Sequence, residues 1–148
     1  RITDITNLAR GAEQGGADAV TAINTLTGMD IDLGRGQPTF ARERAGLSGP
    51  AIFPVALLRV WEIAAAVRIP VIAVGGIAGP EQVLKFFMAG ATAVQLGTML
   101  YSRPTLLAEV RDGVRSFVRA RGLAHPHELR IRRADSGPMG GPNACPVP

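Results

Sequence analysis

Two stretches decide the fold: VIAVGGI at Val71–Ile77 and AVQLGTML at Ala93–Leu100. Each is a short apolar run that stops at a small-residue turn, and each turn leads toward a helix. Runs of this kind, apolar on both faces, read as buried parallel strands. Without a Cβ, Gly75-Gly76 can take positive φ and let an anion approach the backbone. Gly97-Thr98 offers a second such turn with a hydroxyl donor added. Two adjacent anion-binding turns after the last strands of a β/α barrel form a phosphate site for a nucleotide-like cofactor. Taken alone, Gly75-Gly76 reads equally well as a plain tight turn.

Outward from these strands the chain alternates. Residues 4–14 are expected to be a helix, capped by Thr3 or Asp4, with Ile5, Leu8, Ala9 and Ala12 at helical spacing and Gly15-Gly16 as its stop. Asp18–Asn24 reads as a short buried strand. The segment from Thr25 to Ala51 carries seven glycines or prolines, so it is a connection, and one of that length is usually functional or disordered. Within it, MDIDL and PTFA flank Gly34–Gln37 and predict a hairpin, which favours order. Pro54 opens a helix through Val67 with Val55, Leu58, Val60, Trp61, Ile63 and Ala64 as its apolar face. A helix over 80–88 and a last one from about Pro104 to Arg121 complete the pattern. Leu107, Val110, Val114, Phe117 and Val118 are expected to face inward on the last helix, and Gly122 closes it.

The order α-β-α-β-α-β-α specifies an α/β protein with a parallel sheet covered by helices. A closed eight-stranded barrel needs ~250 residues, and this chain has 148. The expected architecture is therefore the C-terminal part of a (β/α)8 TIM barrel, about three β/α units, not closed within this chain. A small open α/β sandwich is the alternative. Residues 1–133 form the barrel part, and the Gly- and Pro-rich residues 134–148 read as a disordered tail. The start at Arg1, with no Met and no signal-peptide pattern, reads as a piece of a longer chain.

Charge and composition narrow the function. Residues 1–100 hold eight basic and eight acidic residues, so the net charge of +4 lies entirely in residues 101–148. That places the Arg excess on the last helix and tail, away from the glycine turns, as a solvated face. An RNA-binding module on that Arg-rich helix is the competing, non-catalytic reading, but the scarcity of aromatics leaves no stacking platform beside it. No nucleic-acid partner is expected. No run approaches the ~20 apolar residues of a membrane span, and a single Cys fits a reducing cytoplasm.

Asn24-Thr25 ends the first strand, where barrel enzymes place substrate-contacting groups. An amide supplies both a donor and an acceptor to a planar, amide-bearing ligand; Asn24 capping its own backbone is the other reading. Gly46-Leu47-Ser48-Gly49-Pro50 can bring backbone against a flat ring, or be a simple turn. Other groups fit structural roles better. Asp30 and Asp32 read as the solvent face of the hairpin, with no third metal ligand near. His125 and His127 lack ligand partners at metal spacing, Cys145 lies in the tail, and Trp61 and Tyr101 read as packing residues.

Together, AINTLTG at 22–28, GLSGPAI at 46–52, PVAL at 54–57, IPVIAVGGI at 69–77 and AGATAVQLGT at 89–98 resemble dihydroorotate dehydrogenase, closest to its NAD-linked class 1B catalytic subunit. The resemblance covers about residues 2–130. It implies a (β/α)8 barrel that holds FMN at the carboxyl ends of its strands. Gly75, Gly76, Gly97 and Thr98 would hold the FMN phosphate, Ile23 and Gly49 would contact the flavin through backbone, and Asn24 and Thr25 would hydrogen-bond the substrate. The implied reaction oxidises dihydroorotate to orotate, a base taking the C5 proton while hydride leaves C6. The implied partners are a subunit carrying FAD and an iron–sulfur cluster, and further copies of the chain in a homo-oligomer. The family's Cys base, its flavin-directed Lys and its Asn-rich substrate loop have no counterpart here; neither Cys145 nor Ser48 matches the base. The chain is therefore expected to be inactive alone. Dihydropyrimidine dehydrogenase, which shares the FMN barrel, is the alternative within enzymes.

Overall fold

The computed structural model describes residues 4–131. Its centre is β6, Val71–Val74, flanked by two parallel neighbours, β1 (Val20–Ala22) and β7 (Ala93–Gln95). Val71 and Ala73 turn to one face and are 2% and 0% exposed, whereas Ile72 and Val74 turn to the other and stay half-exposed. The period of two is that of a strand with one covered face. Helices α1 (Ile5–Gln14), α2 (Phe53–Ala66), α3 (Pro80–Ala89) and α5 (Leu106–Ala120) form the covering layer, each packed on the next.

Local chemistry explains the element ends. Asp4 caps α1, its carboxylate accepting from the Thr6 N–H at 2.9 Å and the Thr6 hydroxyl at 2.6 Å. Those bonds hold the Asp4 carboxyl below its ordinary value. Pro54 sits in the first turn of α2 and Pro80 in that of α3, where a missing N–H costs nothing. Gly90 ends α3 at φ 104° in the left-handed conformation. The core is built on Ala56, Val60, Val83, Phe86 and Leu106, all fully buried, with Phe53 meeting Phe86 edge to face at 5.2 Å.

Several expectations are corrected. The described helices cover one face of the sheet only, and Thr21, Ile72, Val74, Ala93 and Gln95 lie on the face they leave open. The first strand is shorter than 18–24, although Ile23 N–H still donates to Val74 O at 2.9 Å. Helix α5 starts at Leu106 rather than Pro104, so Leu106 is fully buried and Leu107 is 61% exposed. Leu107 lines an apolar groove along the β7 edge with Val94 and Leu96, and Leu8 lines another along the β1 edge with Val20. Both side chains turn toward sheet edges that no described strand covers. Val55 and Leu58 of α2 are likewise exposed. Tyr101, expected to pack, is 93% exposed because the one-turn helix α4 (Met99–Ser102) carries it outward.

The 25–49 connection is an ordered arm. The expected hairpin forms between β3 (Ile31–Asp32) and β4 (Gln37–Pro38), and beneath it β2 (Leu26–Gly28) pairs antiparallel with β5 (Ala45–Leu47). Asp30 is exposed, and Asp32 keeps 30% of its side chain in solvent. The Asp32 carboxylate accepts from the Arg35 and Gly34 N–H groups at 2.9 Å and from Arg35 Nε, which lowers its pKa, and its neighbour Ile31 is exposed as well. Thr3, the tail 134–148 and Cys145 lie outside the described residues.

Helix α5 crosses the start of α3 at a close approach: a Cβ on Gly113 would lie 2.6 Å from Pro80 Cβ. Gly→Ala inside a helix normally stabilises by about 1 kcal/mol. Here overpacking reverses the sign, and Gly113→Ala should destabilise the full-length protein by about 1–3 kcal/mol in a denaturant melt. A gain in stability would contradict the packing described.

Candidate functional site

The three parallel strands end at the same level, and their carboxyl ends open onto one cleft of about 450 Å³. That volume lies within the range of small-molecule sites, roughly 300–1,000 Å³. β1 contributes Ile23, Asn24 and Thr25; β6 contributes Gly75 and Gly76; β7 contributes Gly97 and Thr98; the arm returns Ser48 and Gly49 to the same wall. All eight residues singled out in the sequence line this cleft.

The glycines are there for different reasons. Gly76 has φ 74°, and a Cβ on it would lie 2.5–2.6 Å from Phe53 atoms, two of them backbone, at the start of α2. Gly75 has φ 125° and would touch Ala56 Cβ at 3.0 Å. The turn itself therefore demands glycine at both positions, whatever binds there. Gly97 differs. Its φ is ordinary, and a Cβ on it would meet no atom of another described residue within 4 Å. No packing among the described residues requires glycine at 97, and its bare backbone leaves that side of the cleft clear.

The polar groups carry no charge. Thr21, Asn24, Thr25, Ser48, Gln95 and Thr98 line the cleft, and none of its described lining residues is acidic or basic. An anion here would be held by backbone N–H groups and hydroxyls. The Thr98 hydroxyl donates to Ser48 Oγ at 2.8 Å, tying the arm to the end of β7. Asn24 Oδ1 accepts from the Thr25 N–H at 2.8 Å, so the local-capping reading of Asn24 holds for its carbonyl. Thr25 also packs across Gly46, where a Cβ would lie 2.5 Å from Thr25 Oγ1.

The sequence points to neither Thr21 nor Gln95, and to Ser48 only as part of the GLSGP loop. A polar residue at an alternate position of an otherwise apolar strand was the available signal for Thr21 and Gln95. The hydroxyl within GLSGP was the signal for Ser48.

The family model described as dihydroorotate dehydrogenase matches residues 1–118 of this chain. The chain belongs to the dihydroorotate dehydrogenase family. Among its relatives, the dihydroorotate dehydrogenase B (NAD(+)) catalytic subunit of Trichlorobacter lovleyi is 50% identical over 123 residues, covering 83% of this chain and 40% of the relative. The protein of the same name from Solidesulfovibrio magneticus is 48% identical over 122 residues, 82% of this chain and 40% of the relative. That from Lachnoclostridium phytofermentans is 44% identical over 128 residues, 86% of this chain and 43% of the relative. The chain thus spans about two fifths of the length of the dihydroorotate dehydrogenase subunits it matches. No described helix is long and apolar enough to cross a membrane.

The two kinds of glycine predict opposite outcomes. Gly76→Ala should lower the stability of the full-length protein by about 2–3 kcal/mol through positive-φ strain and the Phe53 contact. Gly97→Ala should change it by less than about 0.5 kcal/mol. Equal losses in urea unfolding would contradict this assignment.

Proposed function

We propose that this chain is the C-terminal part, about three β/α units, of a (β/α)8 barrel that binds FMN and oxidises dihydroorotate to orotate in pyrimidine biosynthesis. The observation that carries the reading is the meeting of three parallel strand ends on one uncharged cleft, with the open backbone of Gly97 at its wall. The open inner face of the sheet and the apolar grooves at both edges support the barrel, because a curved eight-stranded sheet would cover all three.

The donor set suits a phosphomonoester. Backbone N–H groups at Gly76, Gly97 and Thr98 would hold the phosphate, with the Thr98 hydroxyl turning its proton from Ser48 Oγ to the anion. Gly75 would let it approach, and Ile23 and Gly49 would lie against the flavin through backbone. FMN would supply the hydride acceptor. Asn24 and Thr25 would orient the pyrimidine, the Asn24 amide NH2 donating to a ring carbonyl while its oxygen stays bonded to Thr25 N–H. No described residue at the cleft can serve as the base that takes the C5 proton, since the lining offers only amides, hydroxyls and apolar groups. That base belongs to the rest of the barrel. The relatives, each named as an NAD(+)-linked catalytic subunit, support an NAD-linked enzyme working with a second subunit. We assign that partner the FAD and iron–sulfur cluster, and place the assembly, a homo-oligomer of such pairs, in the cytoplasm.

The test uses the full-length protein. Thr98→Val should weaken FMN binding about 10- to 150-fold, the worth of one charge-assisted bond of about 1.5–3 kcal/mol. Asn24→Ala should raise the KM for dihydroorotate about tenfold and leave bound flavin unchanged. Wild-type protein that binds no FMN, or a Thr98→Val variant that binds it normally, would overturn the reading.

A further inference from the structure

We propose that Arg103 is a positioning residue for the phosphate end of this cleft, an inference that rests on the FMN reading above. Arg103 lies outside the cleft lining and follows directly on α4. Its N–H donates to Met99 O at 2.8 Å, and its carbonyl accepts from Leu106 N–H at 3.0 Å, so its backbone is fixed at the junction of α4 and α5. Its guanidinium Nη2 reaches across to donate to the carbonyl of Ala78, in the turn that follows β6. The Arg103 side chain thereby joins the two turns that present Gly75-Gly76 and Gly97-Thr98.

The remainder of the guanidinium is set by acids and hydroxyls behind it. Arg103 Nε is buried without a hydrogen-bond partner among the described residues, and Glu109 Oε2 stands 3.5 Å from it. Glu109 is itself held by the Thr105 hydroxyl, which donates to Oε1 at 2.7 Å. Pro80, two residues past Ala78, is clamped against Gly113 of α5. The turn at 75–79 is thus held at Ala78 by Arg103, and the helix it leads into is held at Pro80 by Gly113 of α5.

The consequence is preorganisation. Amides already aimed at a common point bind an anion without a cost of ordering them first. With the Ala78 tether removed, the 75–79 turn must be ordered by the ligand. The loss then falls on the phosphate and not on the ring system. Arg is suited to this task because its planar fork can face Ala78 O and Glu109 together, which an ammonium cannot.

Full-length apoprotein, titrated with FMN and separately with riboflavin by flavin-fluorescence quenching, distinguishes phosphate positioning from general packing. Arg103→Ala should weaken FMN about tenfold and leave riboflavin within about twofold. Arg103→Lys should recover part of the loss, and Glu109→Gln should weaken FMN about threefold through a less firmly held Arg103. Where Arg103→Ala does not fold, the latter two variants decide by the same FMN-to-riboflavin ratio. A ratio unchanged from wild type in every folded variant, or an equal loss for both ligands, would overturn the inference. A wild-type protein with no preference for FMN over riboflavin would remove the phosphate reading of the cleft and this inference with it.

Discussion

The parallel pairing of β6 with both neighbours is the constraint on which the rest depends. Val20 opposite Val71 and Ile72 opposite Ala93 set the three strands in a register that ends them level. Parallel strands need crossover connections, and the helices of those connections fall on one side. The strand ends can then meet only at one rim, and whatever follows each strand is delivered there. A slip of one residue in β7 would turn Val94 out of the core and Gln95 away from the cleft, because side chains alternate with a period of two.

Much of this was legible because strand and turn chemistry coincide at 71–77 and 93–98. A run of β-branched and small apolar residues ending in glycine has few other uses. The helix caps at Asp4, Pro54, Pro80 and Gly90 were legible for the same reason, since each residue type fits one end of a helix for a local backbone reason. The arm was only half legible. Its tip hairpin carries Gly34 and Gly36 between apolar pairs, but the ladder below it pairs LTG with AGL. Those triplets are too short and too glycine-rich to show a period.

The misreadings share one cause. Leu8, Leu107, Val55 and Leu58 are apolar at helical spacing, and spacing alone says that they seek cover without saying where it comes from. For Leu8 and Leu107 the cover would come from strands beyond β1 and β7, which the described chain does not supply. Asp32 stays partly in solvent, as its alternation implies, and its carboxylate also bonds the backbone of the following turn, a local interaction that periodicity does not show. The glycines at 75, 76 and 97 look alike in sequence, and only the neighbours of each Cβ position separate a turn requirement from a cleared wall.

The central claim is that one phosphoryl group belongs where the ends of β1, β6 and β7 meet. A crystal structure of the full-length protein grown with FMN tests it most directly. The account predicts phosphate density bridging the backbone N–H groups of the 75–76 and 97–98 turns, with the ring system extending toward Ile23 and Gly49. Phosphate density at any other place in the protein, with these two turns bonded only to solvent, would contradict it.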